Sequence, residues 1–287
     1  MPRHVSHALR IGRMPMGRPQ NGRQKNQGKQ QEYSKRIRHL AYLLKIKSLR
    51  GGNLVAAAVQ LRLIRVKLIK AMTFHLFEQN DSSPQNEEIA PGAVFLHRFA
   101  LPHEAAILQA LSEITASAPF RHMVTPGGHQ MSVAMTNCGL LGWISDKSGY
   151  RYSPADPQTG KNWPRMPEVF LRLATTAASE AGFAGFAPDA CLINRYHPGT
   201  KLSLHQDKDE RDFSHPIVSV SLGIPAVFLF GGLKRTGKTQ RLPVQHGDVI
   251  VWGGPARLRF HGIMPLKPAI HPALGSFRVN LTFRKAG

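Results

Sequence analysis

The chain has 287 residues, 42% of them hydrophobic, and a formal net charge of +21 at pH 7. This length fits one large domain or two small ones, and two cysteines cannot form a disulfide framework. No uncharged apolar run reaches the roughly 18 residues that a membrane span requires, and the charge indicates a polyanionic partner, most often a nucleic acid. We therefore expect reduced thiols, no membrane contact and a cytoplasmic protein.

Most of the positive charge lies near the N-terminus. Residues 1–71 contain 17 Lys and Arg and one acid, and residues 72–287 contain 21 Lys and Arg and 16 acids, which gives +16 and +5 of the total of +21. Residues 1–39 are rich in Arg, Gln, Gly and Asn, a composition that predicts disorder. Residues 53–71 mix apolar and basic residues as in a basic amphipathic helix. A nucleic-acid-binding arm and a targeting segment are both compatible with this composition.

The remaining chain predicts helices first and then many short strands. After a polar lead-in over residues 72–90, a strand is predicted at Ala93–Leu96, and apolar residues recur at helical spacing over Pro102–Ala116 and Pro167–Ala181. Short strands separated by Gly and Pro turns are then predicted at residues 190–196, 217–222, 226–230, 241–244, 248–252, 257–261 and 276–284. This order indicates the α+β class, and the number of strands favours a double-stranded β-helix, or jelly roll.

An aromatic and basic segment separates the two predicted helices. Trp143, Tyr150 and Tyr152 occur there with Lys147 and Arg151, and prolines follow, so an ordered loop or hairpin is predicted. Trp143 fits either a core position or a stacking wall for a nucleobase. Stacking on an aromatic side chain contributes roughly 1–3 kcal/mol per base.

A candidate metal site comprises His205, Asp207 and a distant histidine, His261. Residues i and i+2 of an extended strand point to the same side, so His205 and Asp207 can converge on one point. Two imidazoles and one carboxylate leave coordination positions open, which suits a non-haem Fe(II). A charged surface turn is the alternative interpretation, and His246 competes with His261 for the role of second histidine.

The C-terminal strand alternates apolar residues with polar ones. One face carries Arg278, Asn280, Thr282 and Arg284. Because a guanidinium binds a carboxylate through two hydrogen bonds, this face predicts a dicarboxylate next to the metal. A solvated edge strand is the alternative. In the strand over residues 190–196, Asn194 and Tyr196 share one face and need polar partners, which a bound dicarboxylate would provide.

These segments together resemble the AlkB family, and in particular its bacterial members. The segments that carry the resemblance are Met123–Gly128, Met131–Gly139, Asn194–Tyr196, His205–Asp207, Ile217–Gly223, His246–Val249, His261–Gly262 and Arg278–Arg284. The resemblance extends from about Pro91 to Lys285. It implies a jelly-roll dioxygenase core with flanking helices over residues 91–287, and a nucleotide-recognition lid at about residues 120–165. It also favours Met72 as the true start of the protein, with residues 1–71 untranslated.

The resemblance assigns a role to each candidate site residue. The implied Fe(II) ligands are His205, Asp207 and His261. The implied 2-oxoglutarate residues form two groups: Arg284, Tyr196 and Asn194 at the C5 carboxylate, and Arg278 and Asn280 nearer the C1 carboxylate and the metal. The implied substrate residues are Trp143, Tyr150, Asp209, Arg235, Met135 and Thr125.

The implied activity is oxidative demethylation of 1-methyladenine and 3-methylcytosine, which releases formaldehyde, succinate and CO₂. The implied substrate is alkylated DNA, with RNA as a second class, and the implied enzyme needs Fe(II), 2-oxoglutarate and O₂. The aromatic and basic segment favours single-stranded nucleic acid, and nothing in the sequence demands more than a monomer. His129 and Gln130 depart from the family pattern in a segment expected to contact the nucleic-acid backbone. Two alternatives stay open: a non-catalytic basic nucleic-acid-binding protein, and a dioxygenase of the same fold that acts on protein or a small metabolite.

Overall fold

The computed structural model describes residues 86–287. The expectations of disorder in residues 1–39, of an amphipathic helix at residues 53–71 and of a start at Met72 lie outside the described residues. Most of the polar lead-in over residues 72–90 does so as well. Neither helix of the described part is long and apolar enough to cross a membrane.

The larger of two main sheets has eight strands, all paired antiparallel. In spatial order they are β1 (Glu87–Ala90), β2 (Ala93–Leu96), β12 (Val249–Trp252), β9 (Ile217–Gly223), β14 (Arg278–Arg284), β7 (Ala190–Tyr196), β4 (Gln130–Gly139) and β3 (Arg121–Val124). Non-consecutive strands are neighbours throughout the centre of this sheet. Several of the segments that resemble the AlkB family, in β4, β7, β9, β12 and β14, are thereby brought into one sheet.

A smaller sheet faces the polar side of the larger one. It has four antiparallel strands in the order β11 (Gln240–Val244), β10 (Ala226–Phe230), β13 (His261–Ile263) and β8 (Leu202–His205). A separate hairpin is formed by β5 (Gly142–Asp146) and β6 (Gly149–Ser153), where a loop or hairpin is predicted. Two helices, α1 (Glu104–Ser117) and α2 (Glu168–Glu180), complete the fold. The predicted α+β jelly roll is confirmed.

Strand β14 lies at the centre of the molecule, and its two faces have different neighbours. Val279, Leu281 and Phe283 pack in one hydrophobic cluster with α1 and α2. The opposite face, which carries Arg278 and Arg284, lines a cavity together with residues of the smaller sheet. All seven residues are buried, and β14 is an interior strand that pairs with β7 on one side and β9 on the other. The solvated edge-strand interpretation is therefore wrong.

The strand predicted at residues 257–261 is wrong except for its last residue. Gly254 has a φ of 51°, and successive backbone bonds from Ala256, Arg257 and Arg259 to carbonyls three residues earlier coil this segment. Consecutive turns of this kind cannot pair as a strand. The strand begins only at His261, which places this histidine at the edge of the cavity.

Candidate active site

The three predicted metal ligands meet between the two sheets. His205 ends β8 and His261 begins β13, and the two residues are directly opposite each other in the smaller sheet. Asp207 lies just beyond β8, rather than within a strand as predicted. The Nε2 atoms of His205 and His261 are 3.7 and 3.6 Å from the two carboxylate oxygens of Asp207. One ligand atom from each residue lies within 4.8 Å of the other two.

The hydrogen bonds of the two histidines leave the correct nitrogen available for a metal. Nδ1 of His205 is 2.9 Å from the Ser203 carbonyl oxygen, and Nδ1 of His261 is 3.1 Å from that of Arg259. A carbonyl only accepts, so each Nδ1 carries the proton and each Nε2 offers its lone pair. Burial, with the neighbouring His261 ring, lowers the pKa of His205 to about 4. The imidazole is therefore neutral at pH 7, as a metal ligand must be.

A second cluster, of Glu104, His246 and His271, has the opposite arrangement. Nδ1 of His246 accepts a hydrogen bond from the Gly223 amide at 2.9 Å, and Nδ1 of His271 accepts one from the Ala273 amide at 3.3 Å. Each neutral ring then carries its proton on Nε2, and Nε2 of His246 lies 3.2 Å from the Glu104 carboxylate. With both Nδ1 atoms engaged as acceptors, these two rings offer a metal no free lone pair in this tautomer, so the chemistry of the cluster does not favour a metal.

Arg284 lies directly beside the metal-binding carboxylate. Its Nε and Nη2 atoms donate to Oδ2 of Asp207 at 2.9 and 2.5 Å. Burial raises the pKa of the Asp207 carboxyl, but the charge of Arg284 outweighs burial and holds that pKa well below its usual range. Asp207 is therefore ionised. Arg284 was expected from the sequence at the far carboxylate of the co-substrate, whereas its guanidinium here contacts Asp207.

Arg278, the other arginine on this face of β14, is buried deep in the cavity. It is 1% exposed, and Nη2 donates to the Ser221 hydroxyl at 2.9 Å. Its Nε and Nη1 atoms have no hydrogen-bond partner among the described residues. Burial lowers the pKa of the guanidinium, and the Tyr196 ring lies 5.0 Å below it. A buried cation with two free donors suits a carboxylate of an incoming ligand.

One cavity of about 610 Å³ connects these groups. The metal ligands and Arg278 lie at its buried end, whereas Tyr150, Asp209 and Arg235 are exposed. All the predicted site residues line this cavity, namely Thr125, Met135, Trp143, Tyr150, Asn194, Tyr196, His205, Asp207, Asp209, Arg235, His261, Arg278, Asn280 and Arg284. Their individual roles stay predictions.

Comparison with known proteins agrees with this geometry. A sequence model of the 2OG-Fe(II) oxygenase superfamily matches residues 92–284. The alpha-ketoglutarate-dependent dioxygenase AlkB of Escherichia coli is 58% identical to the chain over 207 residues, which are 72% of this chain and 96% of that protein. The chain belongs to the AlkB family. As a member, it is a dioxygenase that uses Fe(II), O₂ and 2-oxoglutarate, which is another name for alpha-ketoglutarate.

Plant members of the AlkB family are more distant. The DNA N(6)-methyladenine demethylase ALKBH1C of Arabidopsis thaliana is 32% identical over 171 residues, which are 50% of this chain and 38% of that protein. The solved structure of OsALKBH1 superimposes with a TM-score of 0.62 at 30% identity, and the match covers 70% of this chain and 100% of that one. The fold of the chain is thus similar to that of OsALKBH1.

Some residues of this AlkB-family site were not predicted. Ser219 and Ser221 of β9 bond to Asn280 and Arg278, and their spacing of two in a predicted strand was a usable signal. Asn280 also donates to the Val220 carbonyl and accepts from Thr282, so both of its amide hydrogens are engaged. Tyr152, Glu210 and Arg257 were missed as well. The last two lie in irregular segments, where no periodicity indicates the direction of a side chain.

The two histidine clusters predict different responses to metal. We expect apo-protein to bind one equivalent of Mn(II), because of the two clusters among the described residues the one with His205 and His261 offers free Nε2 lone pairs. His261→Ala should abolish this binding, whereas the matched variant His246→Ala should retain it. Isothermal titration with Mn(II) measures both. A second equivalent that disappears in His246→Ala would contradict the assignment.

Proposed function

We propose that the protein demethylates alkylated nucleobases, chiefly 1-methyladenine and 3-methylcytosine, in DNA and secondarily in RNA. The observation that carries this proposal is an aromatic and acidic surface in the same cavity as the metal ligands. Trp143 and Tyr150 stack with a ring separation of 5.6 Å and an angle of 14°, and both line the cavity. Such a surface suits a flat heterocycle whose methyl group points toward the buried end.

Asp209 gives this surface a preference for a positive base. The indole Nε1 of Trp143 donates to the Asp209 carboxylate at 2.8 Å, which holds that carboxylate beside the stacking ring. Both proposed lesions are cationic, so a fixed carboxylate attracts them over the neutral bases. Their lost base pairing lowers the extrusion cost of a few kcal/mol, and for this reason we propose a preference for single strands. Exposed Arg235 is placed to contact a phosphate.

The names of the relatives support the same substrate class. The Arabidopsis relative is a DNA N(6)-methyladenine demethylase, and we extend nucleic-acid demethylation to this chain. We propose a cytoplasmic monomer. We further propose that residues 120–165, which include the β5–β6 hairpin, form the nucleotide-recognition lid.

The chain's own residues position the co-substrate. We propose that Arg278 binds the C5 carboxylate of 2-oxoglutarate through its free Nε and Nη1 donors, above the Tyr196 ring and near Asn194. Arg284 keeps Asp207 ionised and oriented for the metal. Fe(II), when bound with 2-oxoglutarate and O₂, supplies the oxidant that hydroxylates the N-methyl group. The two sheets exclude bulk water from this end of the cavity.

The decisive experiment measures formaldehyde and succinate together. Protein, Fe(II), 2-oxoglutarate and O₂ are incubated with oligonucleotides that contain 1-methyladenine or 3-methylcytosine, with unmethylated oligonucleotides as controls. We expect one formaldehyde per succinate with methylated single strands, less with duplexes and with RNA. Binding without succinate would instead support a non-catalytic nucleic-acid-binding protein. Succinate stimulated by peptide or metabolite, but not by oligonucleotide, would support a dioxygenase with another substrate.

Trp143→Ala should weaken binding of a methylated single strand by about 5- to 150-fold, because stacking contributes roughly 1–3 kcal/mol per base. Fluorescence anisotropy with a labelled oligonucleotide measures the dissociation constant. Trp143→Phe is the matched control: it keeps a stacking ring but loses the N–H bond to Asp209, so an intermediate loss is expected. Wild-type affinity in Trp143→Ala would mean that this residue only fills space.

A further inference from the structure

The β5–β6 hairpin is bonded to the segment that carries the metal ligand. Trp143 and Tyr152 are directly opposite each other across the hairpin. The Trp143 indole donates to Asp209, and the Tyr152 hydroxyl donates to Oε1 of Glu210 at 2.7 Å. The two acceptors follow the metal ligand Asp207 by two and three residues. Two adjacent carboxylates therefore connect the hairpin with a metal-binding segment.

Glu210 is the centre of a buried network of charges. Its side chain is 1% exposed and lies between two guanidinium groups, with Oε2 3.0 Å from Arg257 Nη2 and Oε1 3.4 Å from Arg284 Nε. Arg257 Nη1 also donates to the backbone carbonyl of Asp207 at 2.8 Å. Two carboxylates, of Asp207 and Glu210, thus balance two guanidinium groups. Removal of one member leaves an uncompensated buried charge, which is strongly unfavourable.

Tyr152 joins this network as both donor and acceptor. Its hydroxyl donates to Glu210 and accepts from Arg284 Nη1 at 3.3 Å. Burial raises the pKa of Tyr152 well above its usual range, so the hydroxyl keeps the proton that it donates. The other two donors of Arg284 both engage Oδ2 of Asp207, which leaves Oδ1 without a bond from Arg284. Tyr152 of the hairpin is therefore connected to the Asp207 carboxylate through two successive hydrogen bonds, both made by Arg284.

We propose that Tyr152 is a positioning residue that, through Arg284 and Glu210, fixes the orientation of the Asp207 carboxylate. The position of the β5–β6 hairpin then influences the metal centre. Base binding at Trp143 and the orientation of the Asp207 carboxylate at the metal are thereby linked. The inference rests on the proposed function, since it takes Asp207 as a metal ligand and Trp143 as the base platform.

Tyr152→Phe tests this inference, because it removes the hydroxyl and keeps the ring. Groups that orient metal ligands typically contribute 10- to 100-fold to metal affinity. Tyr152 does not contact Asp207 itself but the Arg284 side chain that orients it, so we expect a loss at the lower end, about 10-fold weaker Co(II) binding. A titration followed by visible absorption also reports the ligand field, which should change in band position or intensity. With 2-oxoglutarate and methylated oligonucleotide, succinate should exceed formaldehyde in the variant.

Arg151→Gln is the matched control for metal affinity. Arg151 is next to Tyr152 on β6 and also bonds a carboxylate, that of Asp146, at 2.9 and 2.7 Å. That pair is exposed and has no bond to the network around Asp207, so Co(II) affinity should stay within about twofold. Circular dichroism and thermal unfolding establish that each variant is folded. Glu210→Gln, which keeps an acceptor for Tyr152 but removes the charge, should weaken Co(II) binding and alter its spectrum as well.

The outcomes separate this inference from the proposed function. A folded Tyr152→Phe protein with wild-type Co(II) affinity, spectrum and formaldehyde-to-succinate ratio would overturn the inference alone. Wild-type protein that binds no Co(II) would overturn the metal site and the proposed function with it. Equal losses in Tyr152→Phe and Arg151→Gln would mean that any change on β6 weakens the site, and would also overturn the inference.

Discussion

Asp207→Ala is expected to abolish succinate and formaldehyde release, with a loss well above 100-fold. Loss of an outer partner of a metal ligand typically costs 10- to 100-fold, and Asp207 is itself a proposed ligand. The substitution also removes the carboxylate that accepts two bonds from Arg284, which is 6% exposed. Breaking a buried ion pair costs about 3–5 kcal/mol, so the thermal unfolding temperature should fall as well. His205→Ala should likewise abolish turnover, but without this electrostatic cost.

Asp212→Ala is the matched control for the loss at Asp207. Asp212 lies in the same irregular segment, but its side chain is 57% exposed and bonds only to Ser214 and His215. Turnover and unfolding temperature should both stay close to those of wild type. Undiminished turnover in Asp207→Ala would disprove the metal assignment, whatever the behaviour of Asp212→Ala.

Arg278→Met is expected to raise the KM for 2-oxoglutarate by at least about 100-fold. The guanidinium is buried and has two free donors, and loss of a buried charge pair costs about 3–5 kcal/mol, where 1.4 kcal/mol corresponds to a factor of ten. The apo-protein should not lose stability, since methionine fills a similar volume without a desolvated charge. Arg278→Lys should recover only part of the affinity, because lysine cannot form a bidentate pair.

A second co-substrate tests which carboxylate Arg278 binds. 2-Oxopentanoate has a methyl group where 2-oxoglutarate has its C5 carboxylate, so it cannot use the proposed contact. Wild type and Arg278→Met should therefore turn it over with similar, low efficiency. A deficit of Arg278→Met that persists with 2-oxopentanoate would refute the assignment. If an Arg284 variant instead lost turnover with 2-oxoglutarate but not with 2-oxopentanoate, Arg284 would be the residue that binds the C5 carboxylate, as expected from the sequence.

The sequence was sufficient to predict β7, β9 and β14, but not β8 or the order of the two arginines of β14. Period-two alternation predicted that the polar residues of β7 share one face of that strand, and that those of β14 do the same. The reason is that successive side chains of a strand point to opposite faces. Arg278 and Arg284 both satisfy this pattern. Which of them lies next to Asp207 depends on where β8 and β13 meet across the cavity, and alternation along one strand carries no such information.

The network around Glu210 was beyond prediction for a similar reason. Arg257 and Glu210 are far apart in sequence and lie in segments without regular structure, where spacing does not give a side-chain direction. A strand was predicted over residues 257–261 because polar and apolar residues alternate there. The prediction was wrong because the segment forms a series of turns that starts at Gly254. Alternation alone therefore does not distinguish a strand from such a series of turns.

The two faces of β14 have a consequence for folding. A shift of this strand by one residue against β7 and β9 would exchange its faces, so that Arg284 would point toward Phe170, which now contacts Phe283 edge to face. Leu281 would enter the cavity. Burying an unpaired guanidinium in a hydrophobic cluster costs several kcal/mol. A strand that carried only the alternating apolar residues, without the arginines, would not impose this cost on the shifted register. Arg278 and Arg284 therefore stabilise one strand register against its neighbours before any ligand is bound.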